Sequence, residues 1–72
     1  MHYQIVKPFT TKIPERAANW AALCSAVACT GGTATMEQLC TAIVFAAEQR
    51  KSSVNARGFV LRRVQRGHLA AC

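Results

Sequence analysis

The last third of the chain has no acidic residue. Residues 49–72 hold Arg50, Lys51, Arg57, Arg62, Arg63 and Arg66 without one Asp or Glu. Residues 1–48 instead balance Lys7, Lys12 and Arg16 against Glu15, Glu37 and Glu48, so the whole formal charge of +6 lies beyond Glu48. Carboxylates are also too few and too scattered for acid–base catalysis, which needs positioned pairs of titratable groups. The two histidines, His2 and His68, stand near opposite ends of the chain. A cysteine nucleophile helped by His68 would lack a third, orienting residue. A non-enzymatic role is expected.

Other absences narrow the field further. Cys24, Cys29, Cys40 and Cys72 form no CxxC pair and match no zinc spacing, and His68 with Cys72 has no partner pair upstream. Neither a metal nor a cofactor is expected, and the thiols read as reduced structural residues. Gly31-Gly32 is too short for a phosphate loop and reads as a helix stop. Met1–Lys12 has no apolar run of the length a secretion signal needs, and nothing reaches transmembrane length. Cytoplasmic residence is the expectation. Large apolar side chains are sparse too: hydrophobic residues make up 51% of the chain, but thirteen of them are alanine. Seventy-two residues form one domain, 1–72, which buries only about 60% of the surface its unfolded chain exposes. A single core of this size supplies roughly 3–5 kcal/mol. That excludes a roomy buried active site and favours a stabilising partner, most simply a homodimer.

What is present reads as three helices between two short strands. Tyr3–Lys7 is β-prone and is stopped by Pro8. Pro14 at a first helical position and Glu15 in the first turn start a helix. Trp20, Leu23, Cys24 and Val27 form its core-facing stripe, and Thr30-Gly31-Gly32 ends it. Thr35-Met36-Glu37-Gln38 is a capping box. Met36, Leu39, Cys40, Ile43 and Ala47 then make the stripe of the second helix. Val44 and Phe45 fall off that stripe. They predict either a partner contact or a helix that ends near Ile43 and folds Phe45 back into the core. A third helix is expected over Val54–Arg66, capped by Ser52 or Ser53 and stopped at Gly67. Leu69–Cys72 remains as a terminal strand able to pair with Tyr3–Lys7.

The third helix carries the charge. At about 100° per residue, Val54, Ala56, Val60, Leu61 and Val64 share one face. Asn55, Gly58, Arg62, Gln65 and Arg66 share the other, with Arg63 on its flank and Arg57 nearer the apolar side. Arg, Asn and Gln are the side chains that pair bidentately with guanine or adenine in a major groove. Gly58 on the exposed stripe suggests close approach by a phosphate backbone or another helix. Ser52 and Ser53 offer hydroxyls and free N–H groups to a phosphate.

This arrangement resembles the helix-turn-helix of winged-helix DNA-binding domains. Thr35–Ile43 resembles the supporting helix, Ser53–Val64 the recognition helix, and Arg66-Gly67-His68-Leu69 the step into the wing. The resemblance spans roughly residues 14–70. Two departures stand out: only six residues follow Arg66, and the segment between the second and third helices is longer than a tight turn. The resemblance implies a mainly α, compact three-helix domain with a minimal two-stranded sheet joining the N- and C-terminal segments. It also implies a dimer on a two-fold-symmetric site. The function expected is that of a duplex-DNA-binding regulator using Arg50, Lys51, Ser52, Ser53, Asn55, Arg57, Arg62, Arg63 and Arg66. RNA ranks lower because no aromatic ladder for stacked bases is evident. A membrane surface ranks lower still, because the third helix has no Trp and little bulky apolar surface. The alternative is a phage- or plasmid-type inhibitor or adaptor whose basic face meets an acidic protein, with Val44, Phe45 and Phe59 as apolar anchors.

Overall fold

A computed structural model describes all 72 residues. The elements run β1 (His2–Ile5), α1 (Pro14–Cys29), β2 (Ala34–Thr35), α2 (Met36–Gln49), α3 (Ala56–Gln65) and β3 (Leu69–Ala71). The protein is mainly α, three helices packed with a small antiparallel sheet. The expected pairing of the chain's two ends is present. Tyr3 faces Ala71, Gln4 faces Ala70 and Ile5 faces Leu69. A third strand, not expected from sequence, pairs His2 with Thr35 and Tyr3 with Ala34, so the sheet order is β2-β1-β3. Two residues are too short for a period-2 pattern to show.

The core forms where the stripes meet. Leu23, Leu39, Ile43, Val60 and Leu69 are fully buried, with Val27, Ala34 and Ala56 beside them. The α2 stripe is as expected: Leu39, Ile43 and Ala47 are buried, and Met36 and Cys40 pack half-buried at its edges. On α1, Leu23 and Val27 are buried while Trp20 and Cys24 are half-buried. Asn19, which periodicity alone does not single out, is buried with them.

All three helices end on the same motif. The residue two past the C-cap donates its N–H back to a carbonyl five residues earlier: Gly32 to Val27 (2.9 Å), Ser52 to Ala47 (2.9 Å) and His68 to Arg63 (2.9 Å). The preceding residue donates to the carbonyl three back in each case. This Schellman geometry places one residue in the left-handed region and satisfies carbonyls the helix leaves free. Gly31 (φ 80°) and Gly67 (φ 83°) hold that position after α1 and α3. Lys51 (φ 53°) holds it after α2, without a glycine's freedom.

Three sequence expectations are corrected. The third helix starts at Ala56, and its cap is Asn55, whose Oδ1 accepts from the Gly58 N–H at 3.1 Å; neither Ser52 nor Ser53 caps it. Its inward stripe is Ala56, Val60 and Arg63, with Leu61 turned outward and 43% exposed. Finally, α2 continues to Gln49, so Phe45 does not fold back. It stands 61% exposed on the outer face beside Val44.

Candidate nucleic-acid interface

The inward turn of Arg63 has a local cause. Phe9, in the segment between β1 and α1, lies edge-on to Trp20 (5.7 Å), Phe59 (6.1 Å) and His68 (5.1 Å). Trp20 and His68 are 6.1 Å apart. The Arg63 guanidinium lies over the Phe9 ring at 3.9 Å and over Phe59 at 5.5 Å. A planar cation on a ring face is attracted by the ring quadrupole, which offsets part of the cost of desolvating it. Arg63 is only 7% exposed, and its Nε has no hydrogen-bond partner. Phe59, expected as a protein-interface anchor, is a half-buried wall of this aromatic box.

Around the box the charges cluster without an acid among them. Two adjoining clefts open between α1 and α3. One, of about 260 Å³, is lined by Arg16, Asn55, Gly58, Phe59, Arg62 and Arg63. The other, of about 340 Å³, is lined by Phe9, Thr10, Arg16, Arg62, Arg63, Arg66 and His68. Arg16, Arg62 and Arg63 are common to both. Burial holds the Arg63 pKa below its ordinary value, and Arg62, Arg66 and Arg16 push it the same way. Burial also lowers His68, aided by Arg63, Lys7 and Arg66. The side-chain nitrogen Nδ1 of His68 has no partner either.

The charge ledger read along the chain is rearranged in space. Glu15 leaves its neighbour Arg16 and pairs with Arg50: Arg50 Nη2 donates to Glu15 Oε2 at 3.2 Å and to Asn19 Oδ1 at 3.3 Å. The Ser52 hydroxyl donates to the same carboxylate oxygen at 3.0 Å. These hydrogen bonds, Ser52 first and Arg50 second, hold Glu15 below its ordinary pKa. Arg50 and Ser52 thus tie the end of α2 to the start of α1, while Arg16 joins the cationic face. Charge summed by segment hides this exchange; its only sequence signal is Arg16 four residues before Trp20, on the side of α1 that meets the box.

The remaining expected contacts divide into two groups. Arg62 and Arg66 are exposed at the clefts. Lys51, Ser53 and Arg57 are exposed elsewhere on the α2–α3 segment, and Arg57 stands close enough to Cys40 to oppose its burial-raised pKa. Asn55 uses its Oδ1 as the helix cap. A Cβ on Gly58 would meet Asn55 Nδ2 at 2.7 Å, so within the protein the close neighbour of Gly58 is its own helix cap. No helix is long and apolar enough to cross a membrane. The chain matches no protein-family model, no curated protein and no solved structure.

Proposed function

We propose that this domain binds nucleic acid, duplex DNA before RNA, as a small regulator. The observation that carries the reading is the acid-free face formed by Arg16, Arg62, Arg63 and Arg66 across α1 and α3. A polyanion neutralises such a face and releases its own counterions, which supplies affinity. Exposed Arg62 and Arg66 are the residues able to reach a groove, and Lys51, Ser53 and Arg57 flank them. The element order, with α2 supporting a basic α3 and a strand after it, supports the helix-turn-helix resemblance. The connection over residues 50–55 is longer than that motif's turn.

The test is fluorescence anisotropy of a labelled random duplex across a salt series starting at ~50 mM. Binding should fall steeply with salt, and Arg62→Ala should weaken it while leaving the circular dichroism spectrum intact. Absence of binding to any duplex or single strand at the lowest salt removes the reading.

The exposed Phe45 and Val44 support a second contact surface. Phe45 borders an apolar groove with Ala22, Ala26, Cys29, Ala42 and Ala46. At about 100° per residue, the groove's α1 residues Ala22, Ala26 and Cys29 lie about 120°, 80° and 140° around α1 from Arg16. We propose that a second copy docks there, giving the dimer that a small core favours. Light scattering should report a dimer that Phe45→Ser converts to monomer. The competing reading is an adaptor whose basic face meets an acidic protein. Pull-down of one stoichiometric partner that survives nuclease treatment would favour it.

A further inference from the structure

The buried guanidinium of Arg63 is out of balance with its surroundings. Arg and Lys are almost never fully buried unless paired, because an uncompensated buried charge carries a large desolvation cost. The only salt bridge in the protein is Arg50–Glu15, so no carboxylate neutralises Arg63. Phe9 and Phe59 cover its flat face and leave its N–H edge for hydrogen bonds. Arg63 lines both clefts, and its Nε is buried without a hydrogen-bond partner. Arg16 of α1 and Arg62 of α3 line both clefts with it, and Arg66, the C-cap of α3, lines the second. Lys7 lies near enough to His68 and Gly67 to add to the field. Four arginines and no acid form a receptor for an oxyanion. Arginine's fork matches a tetrahedral phosphate oxygen pair bidentately.

We propose that the α1–α3 cleft is a seat for one phosphate group, with Arg63 as its floor and Arg16, Arg62 and Arg66 as its walls. The seat uses the face on which the nucleic-acid reading rests and goes beyond it by assigning a fixed position to a single phosphate. In a duplex that group is a backbone phosphodiester, and its capture sets the register of α3. Free phosphate and phosphomonoesters present the same chemistry. Arg16 is central because it belongs to α1: a phosphate held by Arg16 and Arg66 bridges like-charged side chains from the two ends of the cleft.

The test begins with inorganic phosphate titrated into the intact protein at constant ionic strength, with chloride as the control anion. Trp20, the single tryptophan, stands 6.1 Å from His68 and 5.7 Å from Phe9 and reports occupancy by its fluorescence. A saturable change with phosphate and none with chloride is expected. Arg16→Gln and Arg66→Gln, both exposed and outside the core, should each weaken binding about tenfold or more. Arg63→Met, which replaces the buried charge with an apolar chain of similar reach, should keep or raise the melting temperature and abolish the response. No saturable response in the native protein, or unchanged affinity in both exposed variants, overturns the seat. The duplex arm separates sources. If the backbone occupies the seat, phosphate competes with the duplex at fixed ionic strength, and Arg16→Gln lowers the salt slope by about 0.9. Phosphate binding without duplex binding upholds the seat for a small phosphorylated ligand and removes the nucleic-acid reading. Duplex binding with an unchanged Arg16→Gln slope and no phosphate response removes the seat and leaves the nucleic-acid reading.

Discussion

Gly58 shows how one residue can be chosen by another three positions away. The Asn55 side chain folds over the first turn of α3 to accept from the Gly58 N–H, and it fills the space a Cβ would take. In an ordinary helix a Gly-to-Ala change gains about 1 kcal/mol. Here the gain is offset by displacing a cap also worth about 1 kcal/mol. Gly58→Ala alone should therefore be nearly neutral in urea unfolding, Asn55→Ala should cost about 1 kcal/mol, and Gly58→Ala added to Asn55→Ala should recover about 1 kcal/mol. Additive values across this double-mutant cycle would refute the coupling. The left-handed positions give a second prediction. Gly67 has open space around its missing Cβ, with only the Lys7 side-chain end at 3.9–4.0 Å, so Gly67→Ala sets about 1–2 kcal/mol of strain against glycine's lost unfolded-chain freedom and should cost roughly 0.5–1 kcal/mol. Lys51→Gly relieves the same kind of strain against glycine's added freedom in the unfolded chain and should raise stability by roughly 0.5–1 kcal/mol.

At the scale of elements, legibility followed the length of the pattern. The α2 stripe from Met36 to Ala47 spans three turns and begins at a capping box in which Thr35 Oγ1 accepts from Gln38 N while Gln38 Oε1 accepts from Thr35 N. Its reading from sequence and its place in the core agree residue by residue. The shorter α3 departs from its periodicity in rotation for a chemical reason. Periodicity assigns arginine outward and leucine inward, but Phe9, Trp20, Phe59 and His68 make an aromatic recess that suits a guanidinium better than a branched alkyl chain. Phe9 lies 54 positions before Arg63, and no local window joins them. Ser52 illustrates the same limit. Its sequence position suggested a cap or a phosphate contact, whereas its hydroxyl serves Glu15 at a separation of 37 residues. The candidate site was thus legible in its sign and its helix. It was not legible in Arg16, which needed α1 and α3 side by side.

For the molecule as a whole, pH is the variable that reads these arrangements together. Burial and the cations Arg63, Lys7, Arg66 on neighbouring segments lower His68 from its ordinary 6.5. The unfolded chain then takes up a proton near 6.5 that the folded chain resists, so stability is complete above that pH and is lost as pH falls through the lowered folded value. Glu15, lowered from 4.5, behaves in the same sense at more acid pH: its hydrogen bonds stabilise the fold above 4.5 and are lost as pH falls through the folded value. Melting temperature should therefore fall as pH drops below about 6.5 and on into the carboxylate range, and His68→Gln should lessen the earlier part of that fall. A melting temperature that is flat down to the carboxylate range would contradict the burial of His68. The sheet adds a consequence of another kind. Its central strand, β1, is the earliest segment of the sequence, while one of its two neighbours, β3, is the latest. A nascent chain therefore carries an apolar ribbon of Tyr3 and Ile5 with one side unpaired until residues 69–71 have been added. The β1–β3 pairing joins residues more than sixty positions apart, and a fold closed by so non-local a contact forms more slowly than its three helices alone would suggest.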